Sequence, residues 1–225
     1  MVSIKENLNN IGKQVKAAQE ASLMNKGPVT LVAVSKTNPA EAVLEAYEAG
    51  QRVFGENRVQ EALAKFKPLK VEKPDIVLHL IGPLQTNKCS EAVALFDVIQ
   101  TIDRIKLVDS LVKEMSKQDR FIPCYIQVNT GEESQKAGVM PADLKALLDH
   151  CRTVKLPVIG LMCIPPVDEE AALHFSFLYK LAEEYGLSRL SMGMTGDFET
   201  AIRFGATDVR VGSGIFGERD YSEQA

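Results

Sequence analysis

The residue best placed to do chemistry is a lysine at the end of an apolar run. Residues 31–36 read LVAVSK, and Lys36 closes the segment. A lysine just past a strand loses part of its hydration. Desolvation disfavours the ammonium and leaves an amine able to attack a carbonyl. A plain surface lysine past a strand end would have the same local sequence, so Lys36 gains meaning only from what accompanies it. Two glycine-rich segments do: SMGMTGDFETAI (191–202) and VRVGSGIFG (209–217), each running from an apolar stretch into a helical pattern. In the first, Thr195 or Asp197 can cap the helix, while Gly193 and Gly196 let backbone N–H groups approach an anion. The second offers Gly212, Ser213 and Gly214 at the equivalent place. Helix N-termini and glycine-rich turns hold phosphate through free N–H groups and the helix dipole. The same glycines would also serve tight turns with no ligand.

Arg210 stands between Val209 and Val211, and alternation points it to the opposite side from those valines, into the protein. A buried guanidinium needs an acceptor. A ligand nitrogen or carboxylate would serve, and so would an acid on a neighbouring strand. Asn57 opens a helical stretch and either caps it or donates to a ligand. His79, His150 and His174 are scattered and nominate no base, and the run Glu132-Glu133 reads as a solvated loop.

The elements that must position these residues recur along the chain. Eight apolar runs occur, at 30–35, 52–54, 76–81, 96–101, 122–129, 158–164, 189–192 and 207–212. Amphipathic stretches lie between them, near 39–49, 57–66, 85–94, 104–117, 141–151, 168–185 and 197–204, and a further one precedes the first run at 3–20. Strands alternating with helices imply βαβ units and a parallel sheet. Runs such as IVLHLI and VIGLMCI are apolar on both faces, as strands covered by helices should be. The pattern predicts a single (β/α)8 TIM barrel with an extra N-terminal helix. An open doubly wound sheet is the alternative, and the second and seventh runs are the shortest. A barrel places its chemistry at the C-terminal ends of its strands. Lys36, Asn57, Met162, Ser191, Arg210, Gly212 and Ser213 all fall there.

Bulk properties narrow the choice. The chain has 225 residues, 45% hydrophobic and 25% charged, which suits one soluble domain spanning 1–225. A net charge of −4 gives no electrostatic reason to expect a nucleic-acid or anionic-membrane partner. The four cysteines form no C-x-x-C pair, so a zinc site is not expected and a reduced, cytoplasmic setting is. The N-terminus is polar, without the apolar core of a signal peptide, and no run approaches the ~18 apolar residues of a membrane span.

Taken in order, LVAVSKTNP (31–39), FGENRVQEA (54–62), HLIGPLQTNK (79–88), SMGMTGDFETAI (191–202) and VRVGSGIFGERDY (209–221) resemble the YggS/PROSC family of pyridoxal 5′-phosphate (PLP) homeostasis proteins over nearly the whole length. The resemblance implies a barrel like the N-terminal domain of bacterial alanine racemase, with PLP as cofactor. It implies that Lys36 forms the PLP aldimine, that Arg210 meets the pyridine nitrogen, and that Ser191, Gly212 and Ser213 bind phosphate. Asn57 then lies near the ring and Met162 lines the pocket. Two departures are visible: Thr195-Gly196-Asp197 where the family often has S-x-D, and Pro83 where many members have His.

The family is regarded as carrying PLP and balancing B6 vitamers and amino-acid pools, without established catalysis. The expectation is therefore a non-enzymatic, monomeric PLP holder, with PLP-dependent apoenzymes as candidate recipients. A racemase needs a second acid/base, in alanine racemase a tyrosine supplied with a second domain for which the sequence shows no room. None of Tyr47, Tyr125, Tyr179, Tyr185 and Tyr221 falls convincingly at a strand C-terminus. A low-activity PLP racemase remains the alternative. A Schiff-base aldolase acting on a phosphosugar, or an interaction module without a ligand, would leave more of these features unexplained.

Overall fold

A computed structural model describes residues 3–24 and 27–217. The end of the last motif, including Tyr221, lies outside the described residues. Eight parallel strands close into a barrel in sequence order: β1 (Thr30–Val34), β2 (Val53–Glu56), β3 (Val77–Leu80), β4 (Val98–Ile102), β5 (Cys124–Gln127), β6 (Val158–Met162), β7 (Arg189–Ser191) and β8 (Asp208–Val211). The expected (β/α)8 barrel is therefore present, and the open sheet is not. Closure is made by β1 against β8, with Val32 beside Arg210 and Ala33 beside Val211.

The helices follow the expected stretches with instructive differences. They are α1 (Ile4–Glu20), α2 (Ala40–Glu48), α3 (Val59–Glu72), α4 (Cys89–Leu95), α5 (Ile105–Gln118), α6 (Leu144–Thr153), α7 (Ala171–Tyr185), α8 (Phe198–Arg203) and α9 (Ser213–Phe216). The sequence reading ends the third helix at 66, but α3 runs through Pro68 to Glu72. Pro68 and the Ala64 carbonyl that loses its donor both lie on the exposed face, where water replaces the missing bond. The stretch expected at 85–94 begins as a 3₁₀ turn at Thr86–Lys88 before α4.

The extra helix α1 has a structural reason. The helix after β8, α9, has only four residues and cannot cover the seam between β8 and β1. Helix α1 packs against α2, α8 and α9 and covers it. Its buried Leu8, Ile11, Val15 and Ala18 recur at helical spacing. Ser3 and Glu6 form a capping box at its start, and Asn7 Nδ2 donates to the Ile215 carbonyl at 2.9 Å, tying α1 to α9.

Strand alternation sends one residue in two into the barrel interior, and many of these are polar. At the N-terminal floor, Asp208 is fully buried. Its carboxylate accepts from Tyr125 Oη at 2.8 Å, Arg189 Nη2 at 2.7 Å and Thr207 Oγ1 at 2.7 Å. Arg189 also donates to Thr30 Oγ1 at 3.2 Å. Beside this floor, outside the interior, a cavity of about 380 Å³ opens among Met24, Pro28, Tyr179, Leu187 and Arg189. Above the floor a second chain crosses the barrel. Arg210 Nη1 donates to Ser191 Oγ at 2.6 Å, Ser191 donates to Gln100 Oε1 at 2.6 Å, and Gln100 Nε2 lies 2.8 Å from His79 Nδ1. With the Gln100 oxygen facing Ser191, its amide nitrogen is the donor to Nδ1, which leaves the imidazole proton on Nε2.

Burial holds the His79 ring neutral, with a pKa lowered to about 4. Above pH 6.5 the ring is neutral in folded and unfolded chains alike, and the neutral ring contributes its full share of stability. As pH falls from 6.5 to about 4 the unfolded chain takes up a proton that the folded one refuses, and about 3 kcal/mol of stability is lost. Urea titrations of wild type and His79→Gln at pH 7 and pH 4.5 measure this. The expected result is a shallower loss in the variant; equal losses would remove His79 from the account.

Candidate active site at the barrel mouth

The C-terminal rim is built mainly from the turns after β1, β2, β7 and β8. Lys36 follows β1 by two residues and is half-buried. In β1 the side chains of Val32 and Val34 share the parity of Arg210, and Lys36 stands in the turn that continues this strand at the barrel's C-terminal end. The turn carrying it is unusual. Thr37 takes a left-handed φ of 65°, a rare backbone state for a β-branched residue. Its N–H donates to Glu61 Oε1 at 2.6 Å, and its hydroxyl donates to the Lys36 carbonyl at 2.5 Å.

Arg210 is 4% exposed and reaches the level where the strands end. Besides Ser191 it donates from Nη2 to the Cys163 carbonyl at 2.8 Å, one residue past β6. The alternative of an acid on a neighbouring strand is not found: no carboxylate lies within ion-pair distance of Arg210 among the described residues. Burial pushes its pKa down. Two hydrogen bonds against five N–H donors leave a buried cation with capacity for another acceptor.

The turns after β7 and β8 meet at the next position round the rim. Ser213 Oγ donates to Thr195 Oγ1 at 3.3 Å, joining them. Asp197 occupies the start of α8, but its carboxylate accepts from the Met194 N–H at 2.6 Å and does not cap the helix. The glycines here divide into two kinds. Gly193, at φ 92°, would place a Cβ 2.6 Å from the Ala201 Cβ, so local packing alone demands it. Gly196 has ordinary φ and nothing within 4 Å of its would-be Cβ, and Gly212 would meet only ordinary contacts with Val34. The fold does not require these two glycines, and their absent side chains leave backbone open beside the Ser213–Thr195 pair. The Gly212 contact with Val34 also sets this turn beside the strand that leads to Lys36.

The remaining expected residues are placed as follows. Met162 ends β6, fully buried, on the same interior parity as Ser191. Asn57 does not cap α3, whose N-cap position is Arg58 without a side-chain bond; its side chain has no hydrogen-bond partner among the described residues. Ser191 departs from the expectation of a phosphate ligand. It is fully buried, its proton is committed to Gln100, and its oxygen accepts from Arg210, so it holds the guanidinium in place. Tyr125 points its hydroxyl to the floor, and Tyr47 and Tyr179 pair with Asp75 and Glu183 outside the barrel. Glu132 is exposed in the expected solvated loop, which is held by its own contacts: Asn129 Nδ2 donates to the Glu133 carbonyl at 2.8 Å, and Glu133 pairs with Lys136 at 2.6 Å.

A group missed by sequence reasoning lies directly under the Lys36 turn. Lys65 of α3 is 8% exposed and donates to Ser35 O at 2.8 Å, Glu56 Oε1 at 2.9 Å and Glu61 Oε1 at 3.4 Å. Glu56 is fully buried, also accepts from Ser35 Oγ at 2.7 Å, and leaves Oε2 without a partner; burial pushes its carboxyl pKa up. The signal was the polar Glu56 in an otherwise apolar strand end. The expected strand stopped at 54, which left Glu56 in a loop.

Comparison with known proteins places the chain. A family model described as alanine racemase, N-terminal domain, matches residues 6–220. The pyridoxal phosphate homeostasis protein of Vibrio cholerae is 42% identical over the whole of both chains, and that of Pseudomonas aeruginosa is 40% identical over the same extent. PipY of Synechococcus elongatus, solved with PLP bound, is 37% identical with a TM-score of 0.81 and covers 96% of this chain and 100% of its own. The alanine racemase of Clostridium difficile shares the fold at a TM-score of 0.72 and 11% identity, with the match covering 98% of this chain and 58% of the racemase. Full-length identity of this order, on a barrel whose rim collects a lysine, an arginine and two open glycine turns, shows that the chain belongs to the family of pyridoxal phosphate homeostasis proteins, built on the alanine racemase N-terminal domain.

Proposed function

We propose that this chain binds PLP at the barrel mouth, holds it reversibly as a Schiff base to Lys36, and keeps the reactive aldehyde available to PLP-dependent apoenzymes without itself turning over a substrate. The observation that carries the reading is Arg210: a buried guanidinium at the level of the strand ends, fixed by Ser191 and Cys163, with donors left over for a ligand acceptor. A pyridine nitrogen is such an acceptor. The PLP-bound structure of PipY supports the choice of ligand.

The residues fit the group. The Lys36 amine would take the aldehyde. The open backbone at Gly212 and Gly196, with the Ser213 hydroxyl, would hold the phosphate. Asn57, whose side chain has no partner among the described residues, would be available to the ring, and Met162 would line the pocket. When bound, PLP supplies an aldehyde and an electron-accepting ring. A guanidinium at the ring nitrogen donates a hydrogen bond but no proton, because it stays charged at any accessible pH. A ring nitrogen held there would stay unprotonated and leave the ring a weak electron sink, which suits storage better than bond breaking. The names of the full-length relatives, homeostasis proteins and not enzymes, point the same way.

The first test is the absorbance of purified wild type beside Lys36→Ala, before and after borohydride. A visible band absent from the variant, and fixed by reduction to a peptide containing Lys36, is the expected result. A folded wild type that takes up no added PLP would overturn the reading. Ser213→Asp examines the phosphate site separately. A carboxylate at the start of a helix does not harm folding, yet it should weaken PLP at least ~10-fold by charge repulsion while leaving pyridoxal, which lacks the phosphate, unaffected. Equal effects on both ligands would move the phosphate elsewhere. Long incubation of the PLP-loaded protein with L-alanine should yield no D-alanine; steady accumulation that Lys36→Ala abolishes would turn the assignment to a racemase.

A further inference from the structure

The Lys65 cluster is not needed to bury α3. That helix already packs through Val59, Ala62, Phe66 and Leu69. A buried ammonium there is costly unless every N–H is used, and each of the three is: on Ser35 O, Glu56 Oε1 and Glu61 Oε1. Two of those acceptors belong to the machinery of one turn. Ser35 is the residue before Lys36, and Glu61 Oε1 also takes the N–H of Thr37, the residue after it. The Lys36 peptide is thus gripped on both sides from α3. The grip also explains how Thr37 stays in a left-handed conformation that a β-branched residue ordinarily avoids. The same Glu56 oxygen that pairs with Lys65 takes the Ser35 hydroxyl at 2.7 Å, locking the residue from its side chain as well.

We propose that Lys65 and Glu61 are positioning residues for the Lys36 amine: they hold the turn 35–37 so that the amine is presented to the aldehyde at the mouth, while contributing nothing to the binding of ring or phosphate. The inference rests on the reading of Lys36 as the imine-forming amine. It adds a division of labour, with non-covalent recognition set by the β7 and β8 turns and Arg210, and covalent capture set by α3.

The division is tested with two ligands. PLP reports capture through the absorbance of the imine. Pyridoxine 5′-phosphate has the same ring and phosphate but an alcohol in place of the aldehyde, so it reports recognition alone. In Lys65→Met and Glu61→Ala, imine formation should slow ~10-fold or more, because small misplacement of a reacting group is costly, while affinity for pyridoxine 5′-phosphate stays at the wild-type value. Glu61→Gln keeps an oxygen for the Thr37 N–H and should retain most of the wild-type rate. Lys65→Arg should recover part of what Lys65→Met loses. Lys65→Met strands the buried Glu56 carboxylate, so the double variant Lys65→Met/Glu56→Gln, which carries no buried charge there, is measured in parallel, and the same slowing is expected. Wild-type rates in all these variants would overturn the proposal. So would a parallel loss of both ligands, which would mark the cluster as a support of the whole pocket. A wild type that binds pyridoxine 5′-phosphate but forms no imine with PLP would instead defeat the assignment of Lys36 on which the proposal stands.

Discussion

The buried charge of Arg210 governs the upper half of this barrel. A guanidinium cannot be brought to 4% exposure without acceptors, and among the described residues no carboxylate contacts it. The hydroxyl of Ser191 and the carbonyl of Cys163 serve instead. That choice propagates. Ser191, already an acceptor, donates its hydroxyl hydrogen bond to the Gln100 oxygen, and Gln100 then presents its nitrogen to His79, which must be neutral to accept it. Burial keeps His79 neutral. Side chains from four different strands are thus fixed in rotamer and polarity by the demand of one cation.

The two ends of the barrel treat polar groups in opposite ways. At the floor, Asp208 has three donors on its two oxygens and Arg189 faces it at 2.7 Å. The charges cancel and the capacity is used, which is the condition of a stabilising network. At the mouth, Arg210 has more donors than partners, Asn57 has no side-chain partner among the described residues, and Gly196 and Gly212 leave backbone uncovered without any packing need. Stability at the N-terminal face and unfilled capacity at the C-terminal face is the division that parallel barrels impose, since loops of variable sequence follow the strand ends.

The same barrel is shared with racemases at 11% identity, so the architecture alone decides no chemistry. What separates a carrier from a catalyst is the set of groups around the mouth. Among the described tyrosines, Tyr125 enters the barrel and spends its hydroxyl on Asp208 at the floor.

Much of this was legible in the sequence because it depends on local periodicity. Eight apolar runs separated by amphipathic stretches determine a parallel sheet covered by helices, and the positions of Lys36, Met162, Arg210, Gly212 and Ser213 at strand ends follow from counting. What the sequence could not determine depended on which strands become neighbours and on parity across the closed sheet. Ser191 reads as a phosphate ligand beside a glycine turn, but the register between β6, β7 and β8 turns it inward onto Arg210. Gln100 and His79 are unremarkable in isolation and become partners only because β3 and β4 lie side by side. Lys65 and Glu56 are nine residues apart on a helix and a strand, and only the packing of α3 against the sheet brings their charges to 2.9 Å beneath the Lys36 turn. Periodicity names the elements; the pairing of buried charge, which is energetically compulsory and non-local, is decided by the tertiary structure.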